Sequence, residues 1–188
     1  LTIEDKTVFG NWHAKGKLKI VDDASAAEQM EVLMSTLSAA DYRQYEISNF
    51  ARPGCESRHN SSYWKGASYL GIGPSAHSFN HTSRQHNVPN NHLYVRALKE
   101  KNIPAEPEVL TRPDRINEYV LTTLRMDAGC DLSALKREFG YDLLALRDDY
   151  LRQLQHHDLI TITGDHLRLT KQGRLLADKI ASDLFLLE

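Results

Sequence analysis

The sequence predicts an α/β portion over residues 1–110 and a smaller α+β domain over residues 111–188, with the element order of a winged helix. Three observations lead there. Between residues 25 and 48 a helical pattern passes directly into a strand pattern, one repeat of an α/β chain. Residues 102–112, NIPAEPEVLTR, carry two prolines and no apolar period, and read as a linker. Beyond them the periodicity gives three helices, a hairpin and a closing helix.

The first helix is expected over about 25–40. Ser25 and Glu28 fit a capping box, and Ala27, Met30, Leu33, Met34 and Leu37 share one face. YRQYEIS (42–48) is rich in β-formers and alternates, Tyr45 with Ile47 on one face and Gln44 with Glu46 on the other. Pro53-Gly54 breaks the chain. The stretch that follows is rich in Gly, Asn, Ser and His, with His59, His77, His81, His86 and His92 among the histidines. Within it Tyr69–Gly73 reads as a short buried strand and Ser83–Val88 as another, and Asn90 caps a helix over 91–101. In the C-terminal part, Pro113 starts a helix to Met126. A second covers Leu132–Phe139 and stops at Gly140, and a third covers 142–157. LITI and HLRLT form a hairpin around Thr163-Gly164-Asp165, and a last helix runs from Lys171 to Leu184.

Composition narrows the function classes. The chain carries 23 Lys+Arg against 25 Asp+Glu. The 11 basic and 13 acidic residues after position 110 make no basic module there, so nucleic-acid binding by bulk charge is disfavoured. No apolar run approaches the ~18 residues of a membrane-spanning helix, and no membrane insertion is expected. The N-terminus does not read as a signal peptide. With two cysteines, Cys55 and Cys130, neither a disulfide scaffold nor an all-cysteine metal site is expected.

Three segments carry candidate chemistry. In His59-Asn60-Ser61-Ser62-Tyr63-Trp64 an imidazole stands beside aromatics that suit a porphyrin face. On residue chemistry alone, a surface histidine beside a packed Tyr-Trp pair is the favoured account. In Leu70-Gly71-Ile72-Gly73-Pro74-Ser75-Ala76-His77-Ser78 small residues allow close backbone approach of a ligand, although a tight turn explains them as well. In Tyr45-Glu46-Ile47-Ser48-Asn49-Phe50 the alternatives are a strand lining a barrel mouth and an ordinary strand with a solvated carboxylate. Cys55 and His59, four apart, have no second ligand pair nearby.

In combination, YEISNFARPG (45–54), HNSSYW (59–64) and YLGIGPSAHS (69–78) resemble the radical S-adenosylmethionine proteins of the oxygen-independent coproporphyrinogen III oxidase family, most closely the branch regarded as haem chaperones. LRMDAGCDLSALKREFG (124–140) and LTKQGRLLADKIASDLF (169–185) resemble that family's C-terminal domain.

The resemblance implies the C-terminal part of a partial (β/α) barrel followed by the winged-helix-like domain, in a cytoplasmic protein. It implies a 4Fe–4S cluster and S-adenosylmethionine in the whole protein. The C-x-x-x-C-x-x-C loop that would hold the cluster is not in this chain, which by itself is not expected to be catalytic. His59 corresponds to the family's haem contact, with Asn60, Tyr63 and Trp64 beside it. Ile72, Ala76 and His77 fall near the S-adenosylmethionine pocket, and Tyr45 and Glu46 on the barrel interior. The implied function is haem binding and delivery to haem-dependent acceptor proteins; the alternative is the oxidase itself, decarboxylating coproporphyrinogen III. Leu1–Glu4 resembles the end of a barrel strand. Open strand edges there and around 42–48 are expected to add a second copy of the chain, or the N-terminal segment to be poorly ordered.

Overall fold

The computed structural model describes residues 3–187, in two compact units that divide between Asp41 and Tyr42. In the first unit, α1 (Val8–Ala14) is capped by Thr7, whose hydroxyl accepts from the Gly10 amide. A side chain at Gly10 would collide with the Glu4 and Asp5 carbonyls, so glycine lets the preceding turn fold against the helix. The helix expected over 25–40 is α2 (Asp23–Ala39). Its cap is Asp22, not the Ser25–Glu28 box: the Asp22 carboxylate accepts from the Ser25 amide at 2.9 Å. That bond, with one from the Ser25 hydroxyl, holds the carboxyl below its usual range. A charged acceptor facing the helix N-terminus is the stronger cap, and it starts the helix earlier. Of the strand expected at Leu1–Glu4, Leu1 and Thr2 lie outside the described residues, and Ile3 and Glu4 are in no strand.

The second unit opens with an antiparallel pair, β1 (Arg43–Glu46) and β2 (Asn49–Ala51), with Arg43 opposite Ala51 and Glu46 opposite Asn49. The strand expected through residue 48 stops at Glu46 because that carboxylate organises a turn. One of its oxygens accepts from the Ser48 amide at 3.0 Å and the Asn49 side chain at 2.6 Å. The far side of β1 is not an open edge: the Asp127 amide donates to the Tyr45 carbonyl at 3.1 Å and the Ile47 amide to the Arg125 carbonyl at 3.0 Å. HNSSYW, for which the sequence suggested no element, lies in α3 (Arg58–Trp64), capped by Ser57.

Tyr69–Gly73 is not a buried strand. Tyr69 makes a single bridge to Phe79, and Ile72 is 84% exposed. Side chains capture the backbone groups that a ladder would use. The Gly71 amide donates to the Ser78 hydroxyl at 2.9 Å, the Gly73 amide to the Tyr94 hydroxyl at 3.0 Å, and buried Asn87 donates to the carbonyls of both glycines.

A three-stranded antiparallel sheet follows in the order β3 (His77–Phe79), β4 (Ser83–Asn87), β5 (Ala105–Val109). The linker expected over 102–112 therefore contains a strand, paired from Asn87–Ala105 to Ser83–Val109. Pro107 hid it, and an edge strand tolerates a missing amide. Between β4 and β5 runs α4 (Asn91–Lys99), capped by Asn90 as expected.

The C-terminal elements hold the core. They are α5 (Arg112–Leu124), β6 (Cys130–Asp131), α6 (Leu132–Phe139), α7 (Leu143–Leu146), α8 (Asp148–His156), β7 (Ile160–Thr163), β8 (His166–Leu169), a 3₁₀ turn at Gly173–Leu176 and α9 (Ala177–Asp183). The sheet order is β6-β8-β7, all antiparallel. Thr111 and Asp114 form the capping box of α5, and Gly140 ends α6 at φ +63. Ile116, Val120 and Leu124 from α5 meet Leu135, Leu167 and Ile180 in one cluster. Each such side chain contributes roughly 1.5–3 kcal/mol by leaving water.

Two of these helices differ from the expected ones. The helix expected over 142–157 is broken at Arg147, whose guanidinium donates to the Phe185 carbonyl at 2.7 Å. The closing helix begins as the 3₁₀ turn, where Gly173 lies so close to the Leu159 carbonyl that a Cβ would collide with it.

Candidate functional site

The site is built on α3. The Pro53-Gly54 turn follows β2, Ser57 caps the next helix, and nearly two turns later Tyr63 and Trp64 reach a cavity of about 580 Å³. Its other walls are Lys65 and Gly66, Tyr69, Phe79 and His81, together with Arg115, Glu118, Tyr119 and Phe139 from α5 and α6. That volume lies within the range of small-molecule sites.

The aromatic side chains run in sequence across it. His59 stands edge-on to Tyr63 at 5.0 Å between ring centres, Tyr63 edge-on to Tyr69 at 4.8 Å, Tyr69 tilted on Phe79 at 6.0 Å, and Phe79 edge-on to His81 at 5.4 Å. On the opposite wall Tyr119 meets Phe139 at 5.6 Å. Burial pushes the Tyr119 phenol up to about 12, so it stays protonated at neutral pH, donating to the Asp131 carbonyl at 3.3 Å.

Charge beneath α3 is tightly arranged. Glu46 is 1% exposed and meets Arg125 through Nε at 3.0 Å and Nη2 at 2.9 Å. The Arg125 guanidinium also lies over the Trp64 ring, 5.0 Å from its centre, and reaches Asp178 at 2.7 Å. With Ser48 and Asn49 on its other oxygen, the Glu46 carboxylate has donors on both sides, which a buried charge requires. Glu118, on the cavity wall, pairs with Arg84.

The structure thus brings several of the candidate residues together. Tyr63 and Trp64 line the cavity, and Asn60 donates to the Tyr45 hydroxyl at 3.4 Å just below it. Tyr45 and Glu46 are buried structural supports, and the solvated carboxylate considered as an alternative is excluded for Glu46. His59 is exposed and outside the cavity wall, in edge-on contact with Tyr63. Ile72, Ala76 and His77 stand apart from the cavity; exposed His77 stacks on His86 across β3 and β4 at 5.8 Å.

Arg125, Tyr69, Phe79, His81, Arg115 and Phe139 were not singled out from the sequence. Arg125 and Phe139 did fall within LRMDAGCDLSALKREFG, Tyr69 within YLGIGPSAHS, and His81 within the histidine-rich stretch.

The chain's cysteines do not fit an iron–sulfur cluster. Cys55 is exposed and Cys130 is wholly buried, its thiol pushed up to about 11 by burial. Two cysteines fall short of three thiolates, and among the described residues no group of three or more His, Cys, Asp and Glu side chains is placed to hold a metal.

Residues 110–176 match the HemN C-terminal domain. A "Heme chaperone HemW" of Bacillus subtilis is 35% identical over 181 residues, which is 96% of this chain and 48% of the relative. One of Mycobacterium tuberculosis is 34% identical over 188 residues, 98% of this chain and 45% of the relative. The chain belongs to the HemN and HemW family of radical S-adenosylmethionine proteins. It spans about half the length of the curated relatives it matches. The fold agrees: coproporphyrinogen III oxidase (HemN) from Escherichia coli superposes with a TM-score of 0.69 at 19% identity, over 94% of this chain and 45% of that one. The mixed helices and antiparallel sheets described above are therefore the C-terminal portion of the HemN fold.

Proposed function

We propose that this chain provides the haem-holding part of a haem chaperone that passes haem to haem-dependent proteins. The observation that carries the proposal is the placement of HNSSYW. Its helix sets Tyr63 and Trp64 into an aromatic-walled cavity, with His59 one turn away and in ring contact with Tyr63. Relatives named haem chaperones, similar along nearly the whole chain, support the same reading.

In this account His59 ligates or captures haem iron, with Asn60 bonding the helix to Tyr45. Residues 111–188 act as a winged-helix-like domain that closes the site from the other side, without contacting nucleic acid. The barrel, its 4Fe–4S cluster and S-adenosylmethionine, with Ile72, Ala76 and His77 nearby, would belong to a fuller cytoplasmic protein; when bound, that pair supplies electrons and radical chemistry. The oxidase alternative is supported here by likeness of fold only.

Titrating haem into the chain tests the proposal. A saturable Soret shift is expected, weakened in His59→Ala. A wild-type protein with no saturable shift would refute it.

A further inference from the structure

We infer that the cavity itself holds the porphyrin plane, and that His81 is an axial ligand to the iron there. The inference rests on the haem reading above and adds a ligand and an orientation to it.

Four observations carry it. First, His81 is on the cavity wall, whereas His59 is not. Second, Nε2 of His81 lies 2.8 Å from the Ser68 hydroxyl; in the tautomer with its proton on Nε2 the ring donates to that hydroxyl, which orients it and leaves Nδ1 for iron. Metal-ligating histidines characteristically have the second nitrogen fixed in this way. Third, His81 has φ +74, in the left-handed region that a side chain enters at a cost. The turn that holds it there is well bonded: the Asn80 side chain accepts from the amides of Thr82 and Ser83 at 3.1 and 2.7 Å. Strain held by its surroundings is characteristic of functional positions, and here it sets an imidazole on an aromatic wall.

Fourth, the cavity's chemistry suits a flat dianion, because both carboxylates on its wall are already paired, Glu118 with Arg84 and Glu138 with Arg137. Tyr63, Trp64, Tyr69, Phe79 and Phe139 supply apolar faces. Lys65 and Arg115 line it and make no ion pair among the described residues, so they are available to two propionates, with Arg115 already lying over Phe139 at 5.3 Å. Arg84 is occupied by Glu118. On this arrangement His59 is a first contact outside the cavity, and a path of five rings joins it to His81, which is also exposed and so open to an incoming porphyrin.

The test uses His81→Gly, because glycine adopts φ +74 freely and the fold is retained. Hemin and iron-free protoporphyrin IX are titrated separately into the wild-type chain and the variant, with visible absorbance for hemin and tryptophan quenching for both. The wild type is expected to bind hemin. The variant is expected to bind it about tenfold or more weakly, with a displaced Soret band that added imidazole restores. Protoporphyrin IX, which needs no axial ligand, is expected to bind both proteins alike. A variant that retains the wild-type hemin spectrum and affinity would overturn the His81 assignment while leaving the haem reading intact. A wild type that binds no hemin would overturn both. Equal loss of protoporphyrin IX and hemin in the variant would show that His81 shapes the cavity and does not ligate iron.

Discussion

Replacing Arg125 with alanine strands the Glu46 carboxylate in the interior. Glu46 is 1% exposed and Arg125 18%, so the pair is screened by little water. Removing one partner of a buried pair costs about 3–5 kcal/mol. The Ser48 and Asn49 donors remain on the other carboxylate oxygen, which places the expected loss near the lower end, about 3 kcal/mol. The Arg125–Asp178 pair adds little, since Asp178 is 77% exposed. At roughly 2–4 °C per kcal/mol for a chain of this size, the melting temperature should fall by about 6–12 °C. Thermal and urea unfolding of the wild type, Arg125→Ala, Glu46→Gln and the Glu46→Gln/Arg125→Met double variant measure it. The double variant should cost less than the two single changes together, because neither charge is then left buried alone. Arg125 also rests on Trp64, so Arg125→Ala should weaken haem uptake. An Arg125→Ala protein within about 1 kcal/mol of wild type, or strictly additive costs, would refute the claim that this pair anchors β1 and α3 to the C-terminal elements.

Two further outcomes follow from the same network. Burial alone would raise the Asp127 carboxyl, but hydrogen bonds and charge from Arg43 and Arg174 outweigh it and hold it below the usual carboxylate range. A carboxyl depressed in the folded state stabilises fully above its unfolded value of about 3.9, and that stability is lost as pH falls through the folded value. Asp127→Asn should therefore cost on the order of 1 kcal/mol at pH 7, and the gap to wild type should close below about pH 4; a gap unchanged at pH 3 would contradict this. In native protein at pH 8 a thiol reagent should modify exposed Cys55 but not Cys130, whose buried thiol stays protonated, and both should react in denaturant. Rapid labelling of two thiols in the native state would count against the packing around Cys130.

The C-terminal elements were the most legible in sequence because their signals are local. Pro113 opens α5 and Gly140 ends α6 in the left-handed conformation, and each acts through its own backbone neighbours. The errors arose where long-range bonds decide. β5 shows no apolar alternation because four of its five residues are exposed, and only its partner β4 makes it a strand. Tyr69–Gly73 has the composition of a buried strand, but Asn87, fourteen or more residues on, takes the carbonyls of both glycines. The site was half legible. HNSSYW was visible as a motif, whereas Arg125 lies 79 residues from Glu46 and His81 is presented by a turn whose left-handed backbone no residue pattern announced.

The central claim is that haem sits in the cavity beside α3. Amide and side-chain NMR spectra of the isotope-labelled chain, with hemin and with a diamagnetic gallium protoporphyrin, test it most directly. The account predicts hemin broadening and gallium-porphyrin shifts centred on Tyr63, Trp64, Tyr69, Phe79, His81 and Phe139. Perturbations centred instead on α4 or α8, or spectra unchanged by either porphyrin, would contradict it.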